Sequence, residues 1–527
     1  MRHTINNFIK NNLILLFFSV IFMLLFLSLK STQASSGKYD KVNTFYKVLR
    51  LVDENYVSEP EIGSLVEGAI SGMLKELDPH SIYINKDDYQ ETNESMDGEF
   101  EGIGVEFSII EDYITVITPI VDGPADRAGI QSGDKIIKIN GKSAFQITIP
   151  EVLKKLKGPK GTEVEVTISR ATSDPFNRTL IRDRIPLKSI PTFFIIKDDI
   201  GYIKMSSFSK KTFEEFNEAF LTLKSKGMSN LLLDLRNNPG GLLDQAIDLL
   251  DMFISSSDTL LFTKGRINGS NSVFRARKDF RDYNKIPIIT IINRGSASAS
   301  EIVSGTFQDL DRGLVIGETS FGKGSVQQHY DLDNESAVRV TVAKYYTPSG
   351  RSIQRSYSSD DESYYSNLNV KNRELTDSLK KTLPVYKTKK GRDVFGGGGI
   401  NPDIHFTDSL SLTKTTLDLV YNPERTLFNY SELIKRDFVN MTFDSTIKAC
   451  DSSLNLKDFY AWLSNSQDEE VLLEDLTKDW SYIKNRIIAE IINKNFGRAD
   501  YYKVLIMEDK TVQESLKYFD QAKTLLN

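Results

Sequence analysis

The chain has 527 residues, too long for one ordinary domain, and predicts three or four units. Hydrophobic residues make up 40% and charged residues 26%, the balance of a globular protein with sizeable cores. A net charge of −6 with no basic block argues against a nucleic-acid partner. Cys450 is the only cysteine, so no intrachain disulfide can form. His3, His80, His329 and His405 are scattered, which predicts no metal site and no cofactor.

At the N-terminus, Arg2 and Lys10 precede an apolar run from Leu13 to Leu29, and small polar residues follow. Residues 1–35 therefore predict a secretory signal peptide or an uncleaved membrane anchor. In either case the remainder of the chain is expected to leave the cytoplasm.

Residues 36–97 read as helical: Phe45, Val48, Leu49, Val52 and Tyr56 recur at helical spacing, as do Ile62, Leu65, Val66, Ile70 and Leu74. Leu77-Asp78-Pro79-His80-Ser81 breaks that pattern. Residues 98–183 are β-rich, with runs such as Ile114–Ile117 and Val164–Ile168 and one helix-like stretch, Ile149 to Leu156. This unit reads as an insertion. Residues 184–354 turn to α/β, with buried-strand runs at Leu231–Leu235, Ile288–Ile292, Leu314–Ile316 and Val338–Val342 and helical periodicity between them. Residues 355–409 read as a polar exposed loop (355–368) and a glycine turn, Gly396 to Gly399. Residues 410–527 are amphipathic helix.

Three segments carry candidate chemistry. In Asn293-Arg294-Gly295-Ser296-Ala297-Ser298-Ala299-Ser300-Glu301, an apolar strand ends in tiny residues and a helix is expected from Ser300. Free N–H groups converge at such a helix start and suit an oxyanion beside a serine. Glu301 falls in the first turn and suits the helix dipole. A serine here is more often a simple cap. Lys323 lies between Gly322 and Gly324, 25 residues after Ser298. Most loop lysines are merely solvated, but a desolvated lysine can serve a serine as base. In Asp234-Leu235-Arg236-Asn237-Asn238-Pro239-Gly240-Gly241, a strand enters a Gly-rich turn that can aim N–H groups at an anion, or simply connects a strand to a helix. His329 and His80 are weaker candidate bases, because no motif places an Asp partner for them.

Together, Leu233–Leu242, Gly295–Ile302 and Gly317–Gln328 resemble the carboxy-terminal processing peptidases, also called tail-specific proteases. So do Leu77–Ser81, Val342–Arg351 and Gly399–Asp403. The resemblance implies a crotonase-like ββα spiral α/β core with an inserted PDZ domain and helical N- and C-terminal regions. It implies a serine endopeptidase with Ser298 as nucleophile, Lys323 as general base and Gln327 orienting the lysine. The N–H groups of Gly241 and Ala299 would form the oxyanion hole, with an adjacent glycine leaving room for a slip of one. Gly102-Ile103-Gly104-Val105 resembles a PDZ carboxylate-binding loop, and Gly123–Ile130 and Gly133–Gly141 match the same module. Substrates are then proteins with exposed C-terminal tails. An adaptor protein and a homodimer remain open partners.

Overall fold

The computed structural model describes residues 39–527 apart from 172, 256, 278–282, 333–334, 358–363, 365–375, 408–410, 467–470 and 527. The expected signal or anchor, residues 1–35, lies outside the described residues. Among those described, no helix is long and apolar enough to cross a membrane. The chain divides into two units, Met1–Leu77 and Asp78–Asn527. The described part of the first holds two helices, Asp40–Asn55 and Ile62–Lys75.

The helical reading of residues 36–97 fails at Ile82–Ile84, which is a strand. Two β-branched residues flank a tyrosine here, and all three pair antiparallel with Ala337–Arg339 of the long strand Ser336–Tyr346. That strand also pairs with Ser325–Leu332 and with Thr259–Gly265, in a five-stranded sheet.

A second, six-stranded sheet forms the centre of the α/β core. Its order is Thr192–Lys197, Ile200–Lys204, Asn230–Asp234, Ile288–Ile292, Leu314–Gly317 and Ile404–His405. All neighbours are parallel except the first pair. Buried on both faces, the central strands are continuously apolar rather than alternating. One face packs against helices Thr212–Ser225, Leu243–Asp251 and Ala299–Asp309 through Phe216, Phe220, Leu249 and Val303. The other packs Tyr202, Leu232 and Ile289 against Val512 and Phe519 from the end of the chain. Each fully buried Leu, Ile or Phe contributes about 1.5–3 kcal/mol, which makes this three-layer core the rigid base of the site.

The β-rich insertion is an antiparallel sheet in the order Val105–Ile110, Tyr113–Pro119, Lys135–Ile139, Glu163–Arg170 and Ser173–Ile181. Helix Ile149–Leu156 packs Val152 and Leu156 into its core with Ile114, Val116 and Val166. A two-stranded ribbon, Glu99–Gly102 against Asp183–Pro186, carries the chain out and back.

The described residues from Lys414 onward form two packed regions. Helices between Lys414 and Met507 share one core, centred on Phe459, Ile483 and Ile487. This bundle also touches the β-rich insertion. Phe428 packs with Ile110 and Ile117, Glu424 accepts from Glu111 N (2.7 Å), and Arg498 pairs with Glu106 (3.2 Å). Beyond Asp509 the chain covers the far face of the central sheet.

Candidate active site

Strand Ile288–Ile292 delivers the segment 293–298 to the edge of the core, and helix Ala299–Asp309 leaves it. The helix starts at Ala299, one residue before the expected start. Ser298 stands at the turn with φ 55° and ψ −114°. A non-glycine residue held with positive φ is strained, and such strain gathers at functional turns between strand and helix. Tyr345 Oη donates to the Ser298 carbonyl (3.2 Å) and holds the turn from the long strand.

Gly240 and Gly241 approach from the neighbouring strand end. A Cβ on Gly240 would stand 2.8 Å from both Ala299 N and Ser298 Cβ, so only glycine permits this approach. Gly240 N donates to Asn238 Oδ1 (2.9 Å). Gly241 N and Ala299 N meet no acceptor among the described residues. The turn is anchored below by buried Asp234, which accepts from Tyr202 Oη (2.8 Å) and pairs with Lys204 and Arg236. Burial alone would raise its pKa, but Arg236 and Lys204 hold the carboxyl far below the usual range. Arg236 reaches on to Asp509 with both carboxylate oxygens at 3.0 Å.

Lys323 lies in the loop between Leu314–Gly317 and Ser325–Leu332. Glu301, fully buried, ties this loop to Ser298. Its Oε2 accepts from Ser298 N and Lys323 N, both at 2.9 Å. Its Oε1 accepts from Gly322 N (2.7 Å) and from the Ser320 hydroxyl. Burial raises the Glu301 pKa despite these four donors. Lys323 has its pKa lowered by burial first and by Arg339 second, with Glu301 and Asp78 opposing. The lysine is thus shifted toward its neutral, basic form.

Gln327 sits opposite Thr341 on the long strand. Its Nε2 donates to Ser325 Oγ (2.8 Å) and Thr341 Oγ1 (3.2 Å). His80 is buried in the same neighbourhood, beside Phe321 and Tyr364. Burial, then the Lys323 charge, bring its pKa down to about 4. Tyr364, in the stretch read as an exposed loop, is buried instead, because its ring closes on His80, Phe321 and Arg355. His329 pairs with Asp331 (3.2 Å) on the outer half of its strand.

In the β-rich insertion, Gly102 ends the ribbon and Val105 opens the edge strand of the sheet. Between them, the Ile103 and Gly104 N–H groups meet no acceptor among the described residues. Gly104 has φ +74°. Two free donors beside an unpaired strand edge can take a terminal carboxylate and extend the sheet with the peptide behind it.

Sequence reasoning places Glu301 only against the helix dipole, and it passes over Asp78, Thr341 and Tyr345 as site residues. The signal available is Glu301 three residues after Ser298. Nothing local shows that the carboxylate reaches a second loop.

Residues 199–364 match the family model described as Peptidase family S41, residues 115–170 match PDZ domain, and residues 27–88 match Activating protease CtpB N-terminal domain. A carboxy-terminal-processing protease of Bartonella bacilliformis is 41% identical over 330 residues, covering 62% of this chain and 75% of that protein. Carboxy-terminal processing protease CtpA of Bacillus subtilis is 36% identical over 328 residues, covering 62% of this chain and 69% of that protein. A solved photosystem II D1 C-terminal processing protease is 27% identical, covers 59% of this chain and 89% of that chain, and has a TM-score of 0.34.

Proposed function

The chain belongs to the carboxy-terminal processing proteases, serine-type peptidases with a PDZ domain, and on that premise we propose that Ser298 and Lys323 form the pair that cleaves extracytoplasmic proteins chosen by their C-terminal tails. The observation that carries this reading is the Glu301 carboxylate, whose single oxygen Oε2 holds Ser298 N and Lys323 N side by side.

The chemistry follows from the parts. Lys323, kept toward its neutral form by burial and by Arg339, takes the proton from Ser298 Oγ. Ser298 Oγ attacks the scissile carbonyl carbon. The developing oxyanion receives the two free N–H groups of Gly241 and Ala299. One such donor is worth about 2.7–4 kcal/mol of barrier. The protonated lysine then gives its proton to the leaving amine, and water resolves the acyl-enzyme by the same route in reverse. Gln327 supports the lysine from the adjoining strand.

The tail is read by Gly102, Ile103, Gly104 and Val105. The free N–H groups of Ile103 and Gly104 receive the terminal carboxylate, and the strand from Val105 adds the tail to the sheet. The segment 1–35 directs the chain out of the cytoplasm, as a cleaved signal or an anchor.

The test is cleavage of protein substrates with free or amidated C-terminal tails, with Ser298→Ala beside the parent. Faster cleavage of free tails and loss of all cleavage in Ser298→Ala are expected. Equal cleavage of both tails removes the tail reader, and cleavage by Ser298→Ala removes the nucleophile.

A further inference from the structure

The loop 78–81 is outside the Ser298 and Lys323 segments, yet it is wired to the same sheet. Asp78 Oδ1 accepts from His80 N (2.8 Å) and Ser81 N (2.9 Å), and Oδ2 accepts from Ser81 Oγ (2.8 Å). Ser81 Oγ in turn accepts from Thr341 N (3.1 Å). Across the gap, Thr341 Oγ1 lies 3.1 Å from Asp78 Oδ1. The same oxygen lies 3.2 Å from Gln327 Nε2. Asp78 and Ser81 are buried, and so is His80 between them.

Hydrogen-bond direction settles the rest. An ionised carboxylate only accepts, so the single Thr341 hydroxyl proton must point at Asp78. Thr341 Oγ1 then has only lone pairs left for Gln327 and must receive a donor from it. That donor is the amide NH2. The Gln327 amide is thereby turned one way, with Nε2 toward Thr341 and Ser325. Oε1 receives no hydrogen bond among the described residues and is free to accept from the Lys323 amine.

We propose that Asp78, acting through the Thr341 hydroxyl, is a positioning residue that fixes the orientation of the Gln327 amide and so presents its oxygen to the base lysine. The proposal rests on the Ser298–Lys323 reading above. It also gives Asp78 a second, separable effect. The charged groups facing Lys323 are Glu301 from the helix start, Arg339 from the long strand, and Asp78 from its own loop. His80, which feels Lys323, Asp78 and Arg355, is held neutral near pH 7. The Asp78 charge favours protonated lysine, while the Asp78 acceptor orients the amide that receives it.

Three variants of the full chain separate these effects: Thr341→Val, Thr341→Ser and Asp78→Asn, each read by kcat, KM and pH profile on a tailed protein substrate, and by thermal unfolding. Thr341→Val keeps the shape and loses the hydroxyl. Its kcat is expected to fall on the order of 10–100-fold with KM little changed. Thr341→Ser restores the hydroxyl and most of kcat. Asp78→Asn keeps an acceptor oxygen and removes the charge, so the rising limb of activity moves to lower pH with its plateau retained.

The inference is overturned if Thr341→Val keeps kcat, if the loss sits in KM alone, or if Thr341→Ser is as poor as Thr341→Val. An Asp78→Asn plateau as low as that of Thr341→Val also overturns it. Should Thr341→Val fail to fold, the serine and Asp78→Asn profiles still decide. Ser298→Ala, run alongside, keeps the two readings apart: residual cleavage there overturns the Ser–Lys pair itself.

Discussion

Glu301→Gln is the sharpest perturbation the site allows. The carboxylate receives four donors, two on each oxygen. A glutamine amide has one oxygen, so one pair of donors must face its NH2. If NH2 turns to Ser298 N and Lys323 N, both N–H groups are orphaned. If it turns to Gly322 N and Ser320 Oγ, the hydroxyl can accept instead, but its proton loses its partner and Gly322 N is orphaned. The second flip is cheaper. It costs about 1–3 kcal/mol for the buried orphan and roughly 1 kcal/mol for each remaining bond that loses charge assistance. Removing the buried charge offsets part of this, and a net loss of about 2–4 kcal/mol remains. The assay is urea unfolding of parent and variant, with acylation rates beside it. Because the folded pKa of Glu301 is raised, this group binds its proton more tightly in the folded state. Parent stability from this group therefore falls as pH rises from 4.5 through the folded pKa, a fall that glutamine lacks. The variant's deficit is expected to be largest in acid and to shrink across that window. A variant within about 0.5 kcal/mol of the parent, cleaving at an undiminished rate, would refute the clamp.

Three further outcomes are expected. Arg339→Gln removes a cation that lowers the Lys323 pKa, so the rising limb of kcat/KM against pH should move alkaline, and a limb displaced by one pH leaves about tenfold less activity on the acid side. An acid displacement of that profile would contradict the assignment. Gly240→Ala places a methyl against Ser298 Cβ and Ala299 N at a φ of +94°; kcat should drop on the order of 100-fold while tail binding, followed by peptide fluorescence anisotropy, stays unchanged. Phe428→Ala opens a cavity beside Ile110 and Ile117; a loss of about 3–5 kcal/mol should appear as faster hydrogen exchange at residues 110–117, with the central sheet unaffected.

Much of the fold is legible in the sequence because its signals are local. The runs at Ile288–Ile292 and Leu231–Leu235 are apolar at every position, as strands covered on both faces must be. Helix Ile149–Leu156 carries its boundaries in Thr148, Pro150 and Glu151, which build its first turn. Ile82–Ile84 reads as helix because three residues give no period, and only the partner strand 255 positions later decides between the two. Site geometry divides along the same line. Ser298, Lys323 and Gln327 stand in motifs; Glu301 ties the Ser298 turn to the Lys323 loop, and Gln327 lies in the strand that follows that loop. Glu301, Thr341 and Asp78 act through hydrogen bonds between distant segments, and a sequence carries no mark of which distant donor a carboxylate will meet. Tyr364 illustrates the converse: polar neighbours suggest solvent, but His80 and Phe321 from two other segments, with Arg355 from its own, bury it.

The contact between the C-terminal bundle and the β-rich insertion bears on how this protein can be re-engineered. A domain joined by one ribbon invites exchange for a homologous domain. Here the graft would have to match more than its two cut points. Ile110 and Ile117 must meet Phe428, the backbone N–H of residue 111 must meet Glu424, and Glu106 on the edge strand must meet Arg498. A transplanted domain lacking those partners would leave an apolar ring and an arginine uncovered, so a working chimera should need residues 424–435 and Arg498 to travel with the insertion as one transferable set.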